Sequence, residues 1–155
     1  MSVTDDLLRN AEAYARTFDK GDLPMPPGRR VAVVACMDAR LNPYGLLGLN
    51  EGDAHVIRNA GGVITEDEVR SLAISQRLLG TREIILLTFT DDEFKAQIEA
   101  DTGIRPPWAP ESFRDPAQDV RQSLARINAN PFVPYKNQVR GFVYSVTDGT
   151  LTEVE

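Results

Sequence analysis

The chain has 155 residues, 42% hydrophobic and 26% charged, with a net charge of −6 and a pI near 4.8. That is enough for one domain with a real core, and the ordinary composition argues against disorder or a fibre. The acidic balance argues against nonspecific nucleic-acid binding, which needs basic surface to displace counterions, and disfavours an anionic membrane surface as partner.

Thr4 to Phe18 reads as an amphipathic helix, with Thr4 as N-cap and Asp5 and Asp6 in the first turn. Leu7, Leu8, Ala11, Tyr14, Ala15 and Phe18 form its apolar face, and nothing before Lys20 resembles a signal core. Leu23 to Gly28 holds Pro24, Pro26 and Pro27 and must run extended. The expected division is an N-terminal helical arm with a proline-rich linker, residues 1–28, and an α/β domain, residues 29–155. An arm tethered this way packs either on a neighbouring subunit or on its own domain.

Val31 to Ala35 is a continuous apolar strand of the kind buried on both faces, and Ala54 to Arg58 is a second, shorter strand. Glu66 to Leu79 reads as a helix capped by Thr65, with acids in its first turn and Gly80 past its end. Glu83 to Leu87 is a third strand. A helix from Thr90 or Asp91 to about Thr102, a proline-rich loop from Arg105 to Pro116, and a helix started by Asp115 and Pro116 and running to about Asn128 follow. Gly141 to Val146, then Asp148-Gly149, then Leu151 to Val154, carries a β-hairpin signature. The alternation predicts an α/β fold: a mostly parallel central sheet flanked by helices, with an antiparallel edge hairpin. No apolar run exceeds strand length, so no membrane span is expected. The single cysteine can form no internal disulfide, which fits a reducing cytoplasm.

Chemistry concentrates where the first strand ends. Cys36, Asp38 and Arg40 alternate at two-residue spacing, at the carboxyl end of a strand, where open α/β folds place ligands. The plain alternative is a buried cysteine followed by a surface ion pair. A cysteine-phosphatase loop needs arginine six residues after the cysteine, and that position is Asn42. A cysteine nucleophile needs a nearby base, and the motif shows none; iodoacetamide reactivity at neutral pH tests that reading. Thiolate ligation of zinc remains, with Asp38 competing for the metal and Arg40 restraining it. Arg58-Asn59-Ala60-Gly61-Gly62 reads as a tight turn needing positive φ, or as backbone brought close to a small ligand. It matches neither a dinucleotide fingerprint nor a phosphate loop. His55, inside a strand, reads as a structural histidine, and Asp91, Asp92 and Glu93 as a helix N-terminus.

Ala35-Cys36-Met37-Asp38-Ala39-Arg40 resembles the Cys-x-Asp-x-Arg motif of β-class carbonic anhydrases. Glu51 to Gly61 resembles that family's second strand and Arg-Asn-Ala-Gly turn, and Ser71-Leu72 also fits. The likeness spans nearly the whole chain and is nearest the short actinobacterial type, with its Met25-Pro26-Pro27 lead-in. It implies Zn²⁺ held by Cys36 and a His-x-x-Cys pair after the third strand, and reversible hydration of CO₂ to bicarbonate. It gives Asp38 and Arg40 catalytic roles, lets Asp38 ligate the metal in a closed form, and leaves Arg58 and Gly61 as further site residues. It also implies a homodimer or larger homo-oligomer, with the N-terminal helix embracing the partner.

The sequence departs from the family at one place. Ile84 to Leu87 runs directly into Thr88-Phe89-Thr90-Asp91, with no His-x-x-Cys pair. Two expectations follow: a zinc enzyme, if the polypeptide carries a ligand segment beyond this sequence, or a zinc-free, catalytically inactive dimeric scaffold that binds a small anion or a protein partner near Arg40 and Arg58.

Overall fold

The computed structural model describes residues 2–88, 100–104 and 115–155. In chain order the elements are helix α1 (Val3–Ala15), strand β1 (Val31–Cys36), helix α2 (Pro43–Leu47), strand β2 (Ala54–Asn59), a 3₁₀ turn (Ala60–Gly62) and helix α3 (Glu66–Arg77). Strand β3 (Glu83–Thr88), helix α4 (Pro116–Ala129) and strands β4 (Val139–Tyr144) and β5 (Leu151–Val154) complete it. The expected helix start at Thr90 or Asp91 and most of the proline-rich loop lie outside the described residues.

The five strands form one sheet in the order β2-β1-β3-β4-β5. All neighbours are parallel except β4 and β5, which pair antiparallel as the hairpin signature predicts. Flanked by β2 and β3, β1 is buried along its whole length, as a strand covered on both faces must be. On one face Ala32, Val34, Ile84 and Leu86 pack with Leu72 of α3 and Ile127 of α4. On the other, Val33, Ala35 and Leu87 pack with Leu41 and with Leu46 and Leu47 of α2. Each fully enclosed Leu or Ile contributes about 1.5–3 kcal/mol of transfer free energy, so both layers are needed to hold the sheet.

Local signals place the helices. Thr65 caps α3 through a reciprocal box with Glu68, and Asp115 caps α4 with Pro116 in its first turn. The first helix begins earlier than Thr4: Ser2 is its N-cap, and the Asp5 carboxylate accepts from the Ser2 backbone N–H at 2.7 Å. This helix buries none of its residues. The linker after it joins the domain through Gly28 N–H to Gly52 O at 2.8 Å and Arg29 N–H to Asp53 O at 2.9 Å. Among the described residues no helix is long and apolar enough to cross a membrane.

Candidate functional site at the carboxyl end of the sheet

Parallel register sets the site. Cys36 pairs with Asn59 of β2, and Ala35 with Leu87 of β3, so Cys36, Asn59 and Thr88 share one rim of the sheet. The chain leaves β1 at Met37, whose N–H donates to Asn59 O at 2.8 Å. It then turns on Asp38, whose backbone carbonyl accepts from Leu41 N–H at 3.0 Å.

Asp38 and Arg40 form a closed pair. The Arg40 Nε donates to Asp38 Oδ1 at 3.0 Å and Nη2 to Oδ2 at 2.6 Å, while the Arg40 backbone N–H donates to Oδ1 at 2.8 Å. The Asp38 side chain is 13% exposed and the Arg40 side chain 61% exposed. The side-chain hydrogen bond from Arg40, then its backbone N–H, pull the Asp38 carboxyl from 3.8 down to about 2 against the opposing effect of burial. Asp38 is therefore ionised at neutral pH, with both oxygens oriented.

Arg58 performs a different task. Its Nε and Nη2 donate to Cys36 O at 3.0 and 2.6 Å, and Nη2 also reaches Asp38 O at 2.7 Å. It clamps the backbone of the turn that carries the other two residues. Asn59 shapes the next turn in the same way: its side chain donates to Val63 O and accepts from Val63 N–H. The sequence places Asn59 in the Arg58-Asn59-Ala60-Gly61 turn but gives no sign of what its side chain binds.

Gly61 has the positive φ expected of it, 83°, and its nearest neighbour is Val63. The close approach falls one residue later. Gly62, at φ 66°, packs between the ends of β1 and β3; a Cβ there would overlap Leu87 O and lie 2.7 Å from Cys36 N.

His55 stands apart from this rim. It pairs in register with Ala32, four residues before Cys36, so the two lie roughly 13 Å apart along the strands. Its Nδ1 is hydrogen-bonded to Ser75 Oγ at 2.8 Å, Ser75 bonds Thr81 in turn, and burial holds the imidazole below its usual titration range.

With this geometry in view, comparison with known proteins is decisive. Beta-carbonic anhydrase 1 of Mycobacterium tuberculosis is 61% identical to this chain over 162 aligned positions, covering 99% of each. The chain belongs to the β-carbonic anhydrase family. A carbonic anhydrase family model matches residues 31–91, from the start of β1 to just past β3. Carbonic anhydrase of Streptococcus mutans superposes with a TM-score of 0.86 at 38% identity, covering 100% of this chain and 99% of that one. A carbon disulfide hydrolase of an Acidianus species is 30% identical, over 92% of this chain and 84% of its own.

The alignment with the mycobacterial β-carbonic anhydrase also shows a difference in length. It runs over 162 positions against 155 residues here, so that relative has at least seven residues without a counterpart. Both chains are covered almost end to end, so the unmatched positions fall within the aligned span. Protein zinc sites take three or four ligands from Cys, His and carboxylates. Here Cys36 is the one cysteine and His55 the one histidine in the sequence, and they are far apart. Among the described residues no three His, Cys, Asp or Glu side chains converge. Thr88 is the last residue of β3, paired with Val143, and follows Leu87 without interruption. No His-x-x-Cys pair stands at this join in the sequence, and the described residues do not fit zinc.

Proposed function

We propose that this chain binds the CO₂/bicarbonate pair at the turn following β1, as a β-carbonic anhydrase family member that does not turn it over unaided. The observation that carries this reading is the closed Asp38–Arg40 pair at the carboxyl end of the sheet. Bicarbonate is an oxyanion with one hydroxyl. Asp38, ionised at neutral pH, accepts a hydrogen bond from that hydroxyl, and the largely exposed Arg40 guanidinium supplies the charge for the oxyanion. Arg58 and the Gly61 turn hold the backbone around it. The 61% identity to a β-carbonic anhydrase favours CO₂ over the sulfur analogue suggested by the more distant hydrolases. Titrating ¹³C-bicarbonate against the protein by NMR should give saturable broadening, weakened about tenfold in Arg40→Gln. A flat response in the unaltered protein would refute the reading.

The second reading is zinc-dependent reversible hydration of CO₂, favoured by the whole-length identity together with the intact dyad. It requires ligands beyond Cys36 and Asp38, and stopped-flow hydration assays with added zinc test it. We further propose a homodimer in which the arm, residues 1–28, covers its partner, working in a reducing cytoplasm that keeps Cys36 free.

A further inference from the structure

We infer that the metal centre has been removed from this chain at the end of β3, and that the fold stands without it. This deepens the reading above, on which only the bicarbonate arm of the test rests.

The argument begins with donors. Zinc bound at Cys36 needs further sulfur, nitrogen or carboxylate ligands on the same rim, and the chain has no second cysteine anywhere. Its one histidine is committed to Ser75, four register positions away. Asp38 cannot complete a site with Cys36 alone, and both of its oxygens are held by Arg40.

The rim is also closed by other means. Cys36 is 5% exposed and packs with Val33, Ala35, Leu41 and Leu87 as a core side chain. Gly62 fills the space between the ends of β1 and β3 at backbone contact. Three hydrogen bonds from Arg58 fix the turn that carries Asp38 without the help of an ion. One mark of the loss persists. Thr88, in line with Cys36 at the end of β3, has a fully enclosed Oγ1 with no hydrogen-bond partner among the described residues. An enclosed hydroxyl left so costs about 1–3 kcal/mol, and it sits where the ligand-bearing connection would leave the strand.

The test loads the full-length protein with excess zinc, removes unbound metal, and measures metal per chain alongside thermal unfolding. We expect less than about 0.1 zinc per chain and the same Tm with zinc as with chelator, because an ion that binds the folded state must raise Tm. About one zinc per chain, lost in Cys36→Ser, overturns the inference. A second protein carries a His-x-x-Cys segment inserted between Leu87 and Thr88. It should gain about one zinc per chain and the cobalt–thiolate absorption band on Co²⁺ substitution. If it folds by circular dichroism but takes up no metal, the shortened connection is not the cause and the inference fails. If it does not fold, the stoichiometry of the unaltered protein decides alone. Bicarbonate binding separates the two ideas. Binding without zinc supports both, and neither binding nor zinc leaves the inference standing while the reading falls. Zinc with CO₂ hydration overturns the inference and supports the family activity.

Discussion

Asp38 illustrates how one neighbour decides a side chain's charge state. Its carboxyl is lowered to about 2 chiefly by the hydrogen bonds from Arg40, so its contribution to stability has a definite sign. A depressed carboxyl stabilises the fold fully above its unfolded value of 3.8, and that contribution disappears as pH falls towards 2. Replacing Arg40 with Gln should return the Asp38 titration towards 3.8, read from the ¹³C carboxyl shift, while leaving the fold intact. An Asp38 that still titrates near 2 in that variant would assign the shift to another cause. Arg58 answers to a different measurement. It satisfies two backbone carbonyls with charge-assisted hydrogen bonds, so Arg58→Met should cost about 2 kcal/mol in urea unfolding.

At the level of elements, the tightest junction joins α4 to β4. A Cβ on Gly141 would overlap Val120, and Leu124 flanks the same spot, so the helix lies directly on the strand there. Gly141→Ala should lower stability by about 1–3 kcal/mol, and Val120→Ala in the same chain should recover part of that loss. Additive effects in the double variant would refute direct contact. The strands were readable because β1 and β3 are unbroken apolar runs, and α3 because Thr65 and Glu68 form a capping box. Helix α2 was not readable: five residues carry no periodicity, and only Asn42-Pro43 announces it. The start of α1 slipped because Ser2 and Thr4 are both good caps and the box at Ser2 closes with Asp rather than Glu. The alternation of Cys36, Asp38 and Arg40 is legible in the sequence, and the structure places the three residues at and just beyond the end of β1. Neither the Arg58 clamp nor Gly62 could be read, because each depends on two turns meeting from separate strands.

The whole molecule leaves an apolar helix uncovered. Val3, Leu7, Leu8, Tyr14 and Phe18 are all more than half exposed, and α1 carries Asp5, Asp6 and Glu12 beside them. Between α3 and α4 runs an apolar groove of about 1000 Å³, with Val69, Ala73, Ile74 and Phe132 in its lining and Arg70, Arg77 and Arg126 beside them. Shape and charge suit the proposed homodimer, with α1 of one copy lying on the groove of another. Light scattering should give a dimer mass for the unaltered protein and a monomer for Leu7→Asp/Leu8→Asp. A dimer that survives both substitutions would place the interface elsewhere. The clamp from Arg58 onto the carbonyls of Cys36 and Asp38 has a consequence for tolerance to change. A turn braced by hydrogen bonds from its own chain keeps its shape whether or not an ion binds beside it. The same bracing makes the scaffold a ready host for engineered centres of a different kind.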